Sequence, residues 1–99
     1  MLNTMDLVKI KWLDAMSDDN TWQDLSDLRQ QTLRPVETVG WILIQMVTTI
    51  VTISSYDEES KTGGGGVVIP VNCITEIQHL NGGRCERYDN GKRIADDTI

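Results

Sequence analysis

The sequence predicts a mainly β domain: a small five-stranded barrel with one short helix after strand one. Three observations carry that reading. In residues 7–13, Val8, Ile10 and Trp12 alternate with Lys9 and Lys11, the period of two that a half-buried strand requires. Residues 37–45 and 48–55 are rich in Val, Ile, Thr and Trp, which favour the pleated sheet. The chain has 99 residues, 39% hydrophobic and 24% charged, the length and composition of one globular domain. A core this thin gains from a partner subunit, so a homo-oligomer is expected.

After strand one, Thr21 stands three residues before Asp24, and Trp22, Leu25 and Leu28 follow at spacings of three. That spacing predicts a helix over residues 22–31. Pro35 stops it, because proline cannot continue the hydrogen-bond ladder and biases Arg34 toward extended backbone. Strand two is expected over residues 37–45, with Val39, Trp41 and Leu43 on one side and Ile42, Ile44 and Met46 on the other. Both faces are apolar, so the one turned from the core needs the helix, a neighbouring subunit or a ligand. Trp12 and Trp41 are expected inside.

Strand three is placed at 48–55, without a charged or glycine turn before it. Residues 56–66 read as a hydrophilic, mobile loop, with acids at Asp57, Glu58 and Glu59, then Lys61, then Gly63 to Gly66. Strand four is expected at 67–69, a tight turn at 70–73 and strand five at 74–80. The barrel domain therefore spans residues 1–80. Residues 81–99, with four basic and four acidic side chains from Arg84 onward, read as a C-terminal tail or a short added hairpin around Asn90 and Gly91.

Five short strands with a one-turn element before the last resemble the small barrels of the SH3-like and Sm-like class. The run Val68, Ile69, Pro70, Val71, Asn72, Cys73, Ile74, with Glu76 and Ile77, resembles the closing strand of an SH3 domain. Cys73 stands where that family carries an aromatic, so the resemblance does not bring polyproline binding with it. A broader resemblance covers about three quarters of the chain. Lys11, Trp12, Leu13 and Asp14, then Trp22 and Leu25, then Val39, Gly40, Trp41 and Ile42, then Val68, Ile69, Pro70, Ile74 and Ile77 are similar to small proteins of tailed bacteriophages and prophages, most without assigned function. The resemblance implies a phage-type, oligomeric small barrel, and by analogy a sponge that traps nucleotide-type signals of host immunity.

The chemistry-bearing residues point to binding rather than catalysis. A net charge of -6 disfavours sequence-independent contact with nucleic acid and ranks an Sm-like RNA-binding role third. Cys73, His79 and Cys85 lie six positions apart, without the close ligand pairs of a zinc site or the flanks of a Cys-His nucleophile. Asp14, Asp18, Asp19, Asp24 and Asp27 match no calcium loop and read as a solvated face beside a helix start. Gly63 to Gly66 lack the lysine and following helix of a phosphate loop. No enzyme, metal or cofactor is expected.

Ligand capture is expected at Trp22, Arg29, Arg34, Tyr56, Lys61, Gly63 and Gly64, which together offer a stacking ring, charge-assisted donors and bare amides. The leading expectation is thus a homo-oligomer binding a nucleotide-type small molecule. The alternative is a protein-binding adaptor or inhibitor of a host protein. The apolar run 39–53, interrupted by Gln45, Thr48, Thr49 and Thr52, is shorter than the roughly 20 residues of a spanning helix. With two cysteines and no signal-like opening, the expected location is the cytoplasm, that of the host cell if phage-encoded.

Overall fold

A computed structural model of the chain describes residues 5–15 and 22–98. These form the strands β1 (Leu7–Asp14), β2 (Arg34–Gln45), β3 (Thr49–Ile53), β4 (Ser55–Asp57), β5 (Thr62–Gly64), β6 (Val67–Pro70), β7 (Ile74–His79), β8 (Arg84–Asp89) and β9 (Lys92–Thr98). A helix, α1 (Leu25–Arg29), lies between β1 and β2, and a 3₁₀ turn, Val71–Cys73, between β6 and β7. Seven strands make one antiparallel sheet in the order β6-β3-β2-β1-β7-β8-β9, and β4 pairs with β5 alone.

The fold is mainly β, but it is neither five-stranded nor a closed barrel. Among the described residues no ladder joins β6 to β7. The free edge of β7, which such a closure would use, is occupied by β8. Residues 84–98 are the hairpin β8-β9 rather than a tail. The opposite charges of Glu76 and Arg87 pair across β7 and β8, which favours this addition. Asn90 (φ 50) and Gly91 (φ 79) make the hairpin turn in the left-handed region. A Cβ on Gly91 would fall 2.4 Å from Oδ1 of Asn72, the tip of an exposed side chain that can rotate away, so the positive φ rather than packing selects glycine there.

The sheet nevertheless curls. Val8, Ile10 and Trp12 of β1, Ile50 of β3, Ile69 of β6, and Ile74 and Ile77 of β7 form one buried cluster. In a flat sheet β6 and β7 would stand roughly 19 Å apart, four strand spacings, so only a strong bend lets their isoleucines share a core. Trp12 keeps its ring inside by donating from Nε1 to Thr38 Oγ1 at 2.9 Å. Cys73 packs partly buried against the cluster. On the outer face Lys9, Lys11, Glu37, Glu76 and Arg87 make a ladder of opposite charges 3.5–4.0 Å apart, in which each pair has at least one solvent-exposed partner and is worth little individually.

The bend is built into β2, and it corrects the expected faces of that strand. Residues Arg34 to Trp41 pair with β1, while Trp41 to Gln45 pair with β3, with an irregularity between Ile42 and Ile44. Val36, Thr38, Gly40 and Ile42 stand opposite inward residues, so Val39 and Trp41 face outward. Trp41 is half-buried on the outer side rather than in the core. The bulge at Leu43 adds a residue and reverses the alternation. Ile44, opposite Val51, consequently shares the outer face with Trp41 instead of joining Ile42.

The helix expected at 22–31 is limited to five residues and buries none of them. Trp22 is 92% exposed, and Leu25 and Leu28 are exposed. Asp24 occupies the N-cap position without a side-chain hydrogen bond; Thr21, Asp18 and Asp19 lie outside the described residues. So short a helix gains little from propensity, and without a packed face it cannot cover β2. Ile44 accordingly remains 47% exposed within the single chain. The chain is extended again from Arg34, three residues before the expected start, with Pro35 opposite Leu13 inside β2.

Ile10→Ala should therefore cost about 2–5 kcal/mol of unfolding free energy, the range for truncation in a sealed core. Ile44→Ala should cost below about 1 kcal/mol, as at a half-exposed site. Urea titration followed by circular dichroism compares the two, and equal losses would contradict this placement of the core.

Candidate functional site

Two groups of side chains stand out, and their chemistry differs. The first is a cleft of about 400 Å3 lined by Leu43, Ile53, Tyr56, Glu58, Lys61, Thr62 and Gly63. It forms because β4-β5 folds over the outer face where β2 changes partner. Tyr56 meets Trp41 edge to face, with ring centroids 5.4 Å apart at 80°, an arrangement that suits the ring quadrupoles. Ile53 is buried beneath this hairpin, outside the main core cluster.

The segment expected to be a mobile loop is a tied hairpin. Ser55 pairs with Gly64, Tyr56 with Gly63 and Asp57 with Thr62. Asp57 Oδ1 accepts from the Glu59 amide at 3.0 Å, and the Ser60 and Thr62 hydroxyls bond at 2.8 Å. Hydrogen bonds from the Ser60 hydroxyl and from the Glu59 and Ser60 amides hold the Asp57 carboxyl below its ordinary value. These short polar side chains supply the turn that composition alone obscured. The glycines are not equivalent. Gly65 has φ +65, and a Cβ on it would lie 1.9 Å from Ser54 Oγ, whereas a Cβ on Gly64 would meet nothing within 4 Å.

Of the seven expected ligand residues, Tyr56, Lys61 and Gly63 come together in the cleft; Trp22, Arg29, Arg34 and Gly64 do not line it. Arg34 stands opposite Asp14 at the far end of β2. Seven residues of strand separate it from Trp41, roughly 23 Å at the rise of a β-strand. Trp22 and Arg29 belong to the exposed segment around α1. Gly64 instead accepts through its carbonyl from the Ser54 amide at 3.0 Å. Leu43, Ile53, Glu58 and Thr62 were not singled out by sequence. The bulge that turns Leu43 outward and the pairing that places Thr62 beside Tyr56's strand are absent from local pattern.

The second group surrounds Glu86, which is only 6% exposed. His79 Nε2 and Arg84 Nη2, the latter at 3.0 Å, meet Oε1. Tyr88 Oη donates to Oε2 at 2.8 Å, and Arg93 Nη1 lies 3.4 Å from the same oxygen. Asp6 approaches His79 Nδ1 at 3.7 Å. Burial alone would push the Glu86 carboxyl up, but hydrogen bonds from His79, Tyr88 and Arg84 outweigh it and hold the group at about 2. Burial, and then its bond to the Glu86 carboxylate, pushes Tyr88 up to about 12.

A carboxylate so fully engaged is a poor base at neutral pH, and a tyrosine near 12 is a poor acid. The cluster therefore acts as a buried clamp holding β7, β8 and β9 together. The alternation of Arg84, Glu86 and Tyr88 in sequence places the three on one strand face, a signal overlooked when residues 81–99 are weighed only for apolar content. Among the described residues no group of three His, Cys, Asp or Glu side chains is placed to hold a metal ion, and no helix is long and apolar enough to cross a membrane.

No family model, curated protein or solved structure matches this chain.

Glu86 has its carboxyl lowered by folding from 4.5 to about 2, so it stabilises the native state above pH 4.5, and that contribution is lost as pH falls toward 2. Tyr88 acts in the opposite sense: its neutral form supports the fold below pH 10, and this support is lost as pH rises toward 12. Glu86→Gln should cost roughly 3 kcal/mol near neutrality, as for breaking a buried ion pair, and should flatten the acid limb. Urea midpoints of both proteins between pH 5 and 2 measure this; parallel acid limbs would refute the assignment.

Proposed function

We propose that the chain is a non-enzymatic binding protein that works as a homo-oligomer and takes a nucleotide-type small molecule in the cleft beside Tyr56. The observation that carries this reading is the cleft itself. Its volume of about 400 Å3 falls within the range of small-ligand sites, and an apolar wall with a few polar groups is their usual composition. The Tyr56 ring supplies a flat surface for a base, and Leu43 an apolar contact beside it. Lys61 supplies an ammonium for phosphate, and Glu58 an acceptor for ribose hydroxyls or an exocyclic amine. One lysine beside one carboxylate favours a singly charged phosphodiester over a more highly charged polyphosphate.

The five central strands, β6-β3-β2-β1-β7, have a one-turn element before the last. This supports treating the curled part of the sheet as a relative of the SH3-like small barrels, opened and widened by β8-β9. The resemblance to phage and prophage proteins supports a role in the host cytoplasm, as a sponge for nucleotide signals. A second reading, a protein-binding adaptor or inhibitor of a host protein, is favoured by the outer apolar residues Val39, Leu43, Ile44 and Val68, all about half exposed or more. RNA binding draws least support, because the net charge is -6 and Arg29 and Arg34 stand away from the cleft.

Titration of the protein with cyclic nucleotides and nucleoside monophosphates, followed by tryptophan fluorescence and calorimetry, tests the proposal. Lys61→Ala should weaken binding about tenfold or more, the scale of a charged hydrogen bond, and Tyr56→Ala should weaken it comparably. Arg34→Ala should leave affinity unchanged. Absence of binding across that set, or loss only in Arg34→Ala, would overturn the cleft assignment.

A further inference from the structure

Two Asn-Gly pairs occur in the chain, Asn81-Gly82 and Asn90-Gly91, and they lie in the turns before and after β8. The fold holds them differently. Asn90 (φ 50) and Gly91 (φ 79) are fixed at the tip of the β8-β9 hairpin, where the flanking residues Asp89 and Lys92 pair with each other. Asn81 and Gly82 are exposed in the turn between β7 and β8. Among the described residues neither the Asn81 side chain nor the Gly82 amide makes a hydrogen bond. The turn is tied one residue later, where the Gly83 amide donates to the His79 carbonyl at 3.1 Å. A Cβ on Gly82, at φ 111, would meet nothing within 4 Å.

We infer that Asn81 is a site of spontaneous deamidation and that the hairpin shields Asn90 from the same reaction. The Gly82 amide nitrogen attacks Cγ of Asn81. A C–N bond forms, the side-chain amide leaves as ammonia with the proton that the attacking nitrogen gives up, and a cyclic succinimide remains. Water then opens the ring at either carbonyl, adding hydroxyl to carbon and hydrogen to nitrogen. Opening at Cγ gives aspartate; opening at the main-chain carbonyl gives isoaspartate, whose backbone runs through the former side chain and is longer by one methylene. Glycine matters at position 82 because no Cβ screens its nitrogen or stops the peptide plane from turning toward Cγ. At Asn81 that rotation breaks no strand pair and takes place in open space. At Asn90 it has to open the Asp89–Lys92 pair, and local opening of paired backbone costs free energy. The consequence falls on the clamp. The turn joins His79 to Arg84, both of which meet Glu86, so a longer backbone between them disturbs the placement of both.

Peptide mass mapping of the full chain, incubated at mildly alkaline pH both folded and unfolded in urea, tests this independently of any ligand. Unfolded, the two Asn-Gly pairs should convert at similar rates. Folded, Asn81 should convert at close to its unfolded rate, and Asn90 more slowly than Asn81 by about tenfold or more, the effect of even a modest local opening cost. Asn81→Gln should remove the fast product and leave the rest of the map unchanged. A folded chain in which Asn90 converts as fast as Asn81, or in which neither converts while the unfolded chain does, would overturn the inference. The isoaspartyl form, separated by ion exchange, should melt below fresh protein, whereas Asn81→Asp, which carries the new charge on a normal backbone, should melt with fresh protein. An isoaspartyl form that melts with the Asn81→Asp protein would break the link to the clamp.

Discussion

The fold depends on one strand serving two partners. β2 pairs with β1 over its first eight residues and with β3 over its last five, sharing Trp41 between them, and the bulge at Leu43 lies where the second ladder begins. A bulge sharpens local twist and bends its strand. Here that bend brings Ile50 and Ile69 from one end of the sheet onto Val8, Ile10, Ile74 and Ile77 from the middle. Without it the isoleucines would lie along a flat surface, half of each exposed. The core of a 99-residue chain thus arises from curvature rather than from layering two sheets or setting a helix on one.

The same bend creates the cleft. By reversing the alternation of β2, the bulge sends Leu43 and Ile44 outward beside Trp41, and the β4-β5 hairpin closes over that surface through Tyr56, with Ile53 of β3 beneath it. The pocket is therefore a by-product of how the sheet curls. The polar side chains at its rim, Glu58, Lys61 and Thr62, come from a turn stiffened by Asp57 and Ser60. A binding reading gains from this, because a preformed pocket on a tied hairpin loses less entropy on capture than a loop that must first be ordered.

The Glu86 clamp lets the sheet grow beyond β7. Strand β8 seats Cys85 in the core and packs Tyr88 against it, and the attachment of β8 and β9 is completed by polar contacts that converge on a buried carboxylate. Four donors converge on one carboxylate, and the buried side-chain atoms of the described residues all find partners. Complete satisfaction of such a network is what makes it stabilising, since a half-paired buried carboxylate would oppose folding.

Elements whose signal is local can be read from the chain alone. The alternation through Ile10 and Trp12, the β-branched content of residues 48–55, the Val68-to-Ile74 run with its one-turn element and the Asn90-Gly91 turn are each legible within a few residues. Features that require knowing an opposite strand emerge only from the folded sheet. Trp41 lies outside because its neighbours on β1 fix the inward set at Thr38, Gly40 and Ile42, and Ile44 follows Trp41 because a bulge shifts phase without changing composition. Tyr56, Lys61 and Gly63 meet whereas Arg34 does not, since strand pairing carries the first three onto one surface and leaves Arg34 roughly 23 Å along β2. Helix α1 remained short because a spacing of three specifies a stripe but not a surface to receive it. Periodicity is a property of one strand or helix, whereas faces, clefts and clamps belong to pairs, and a pair's register is set by the whole sheet.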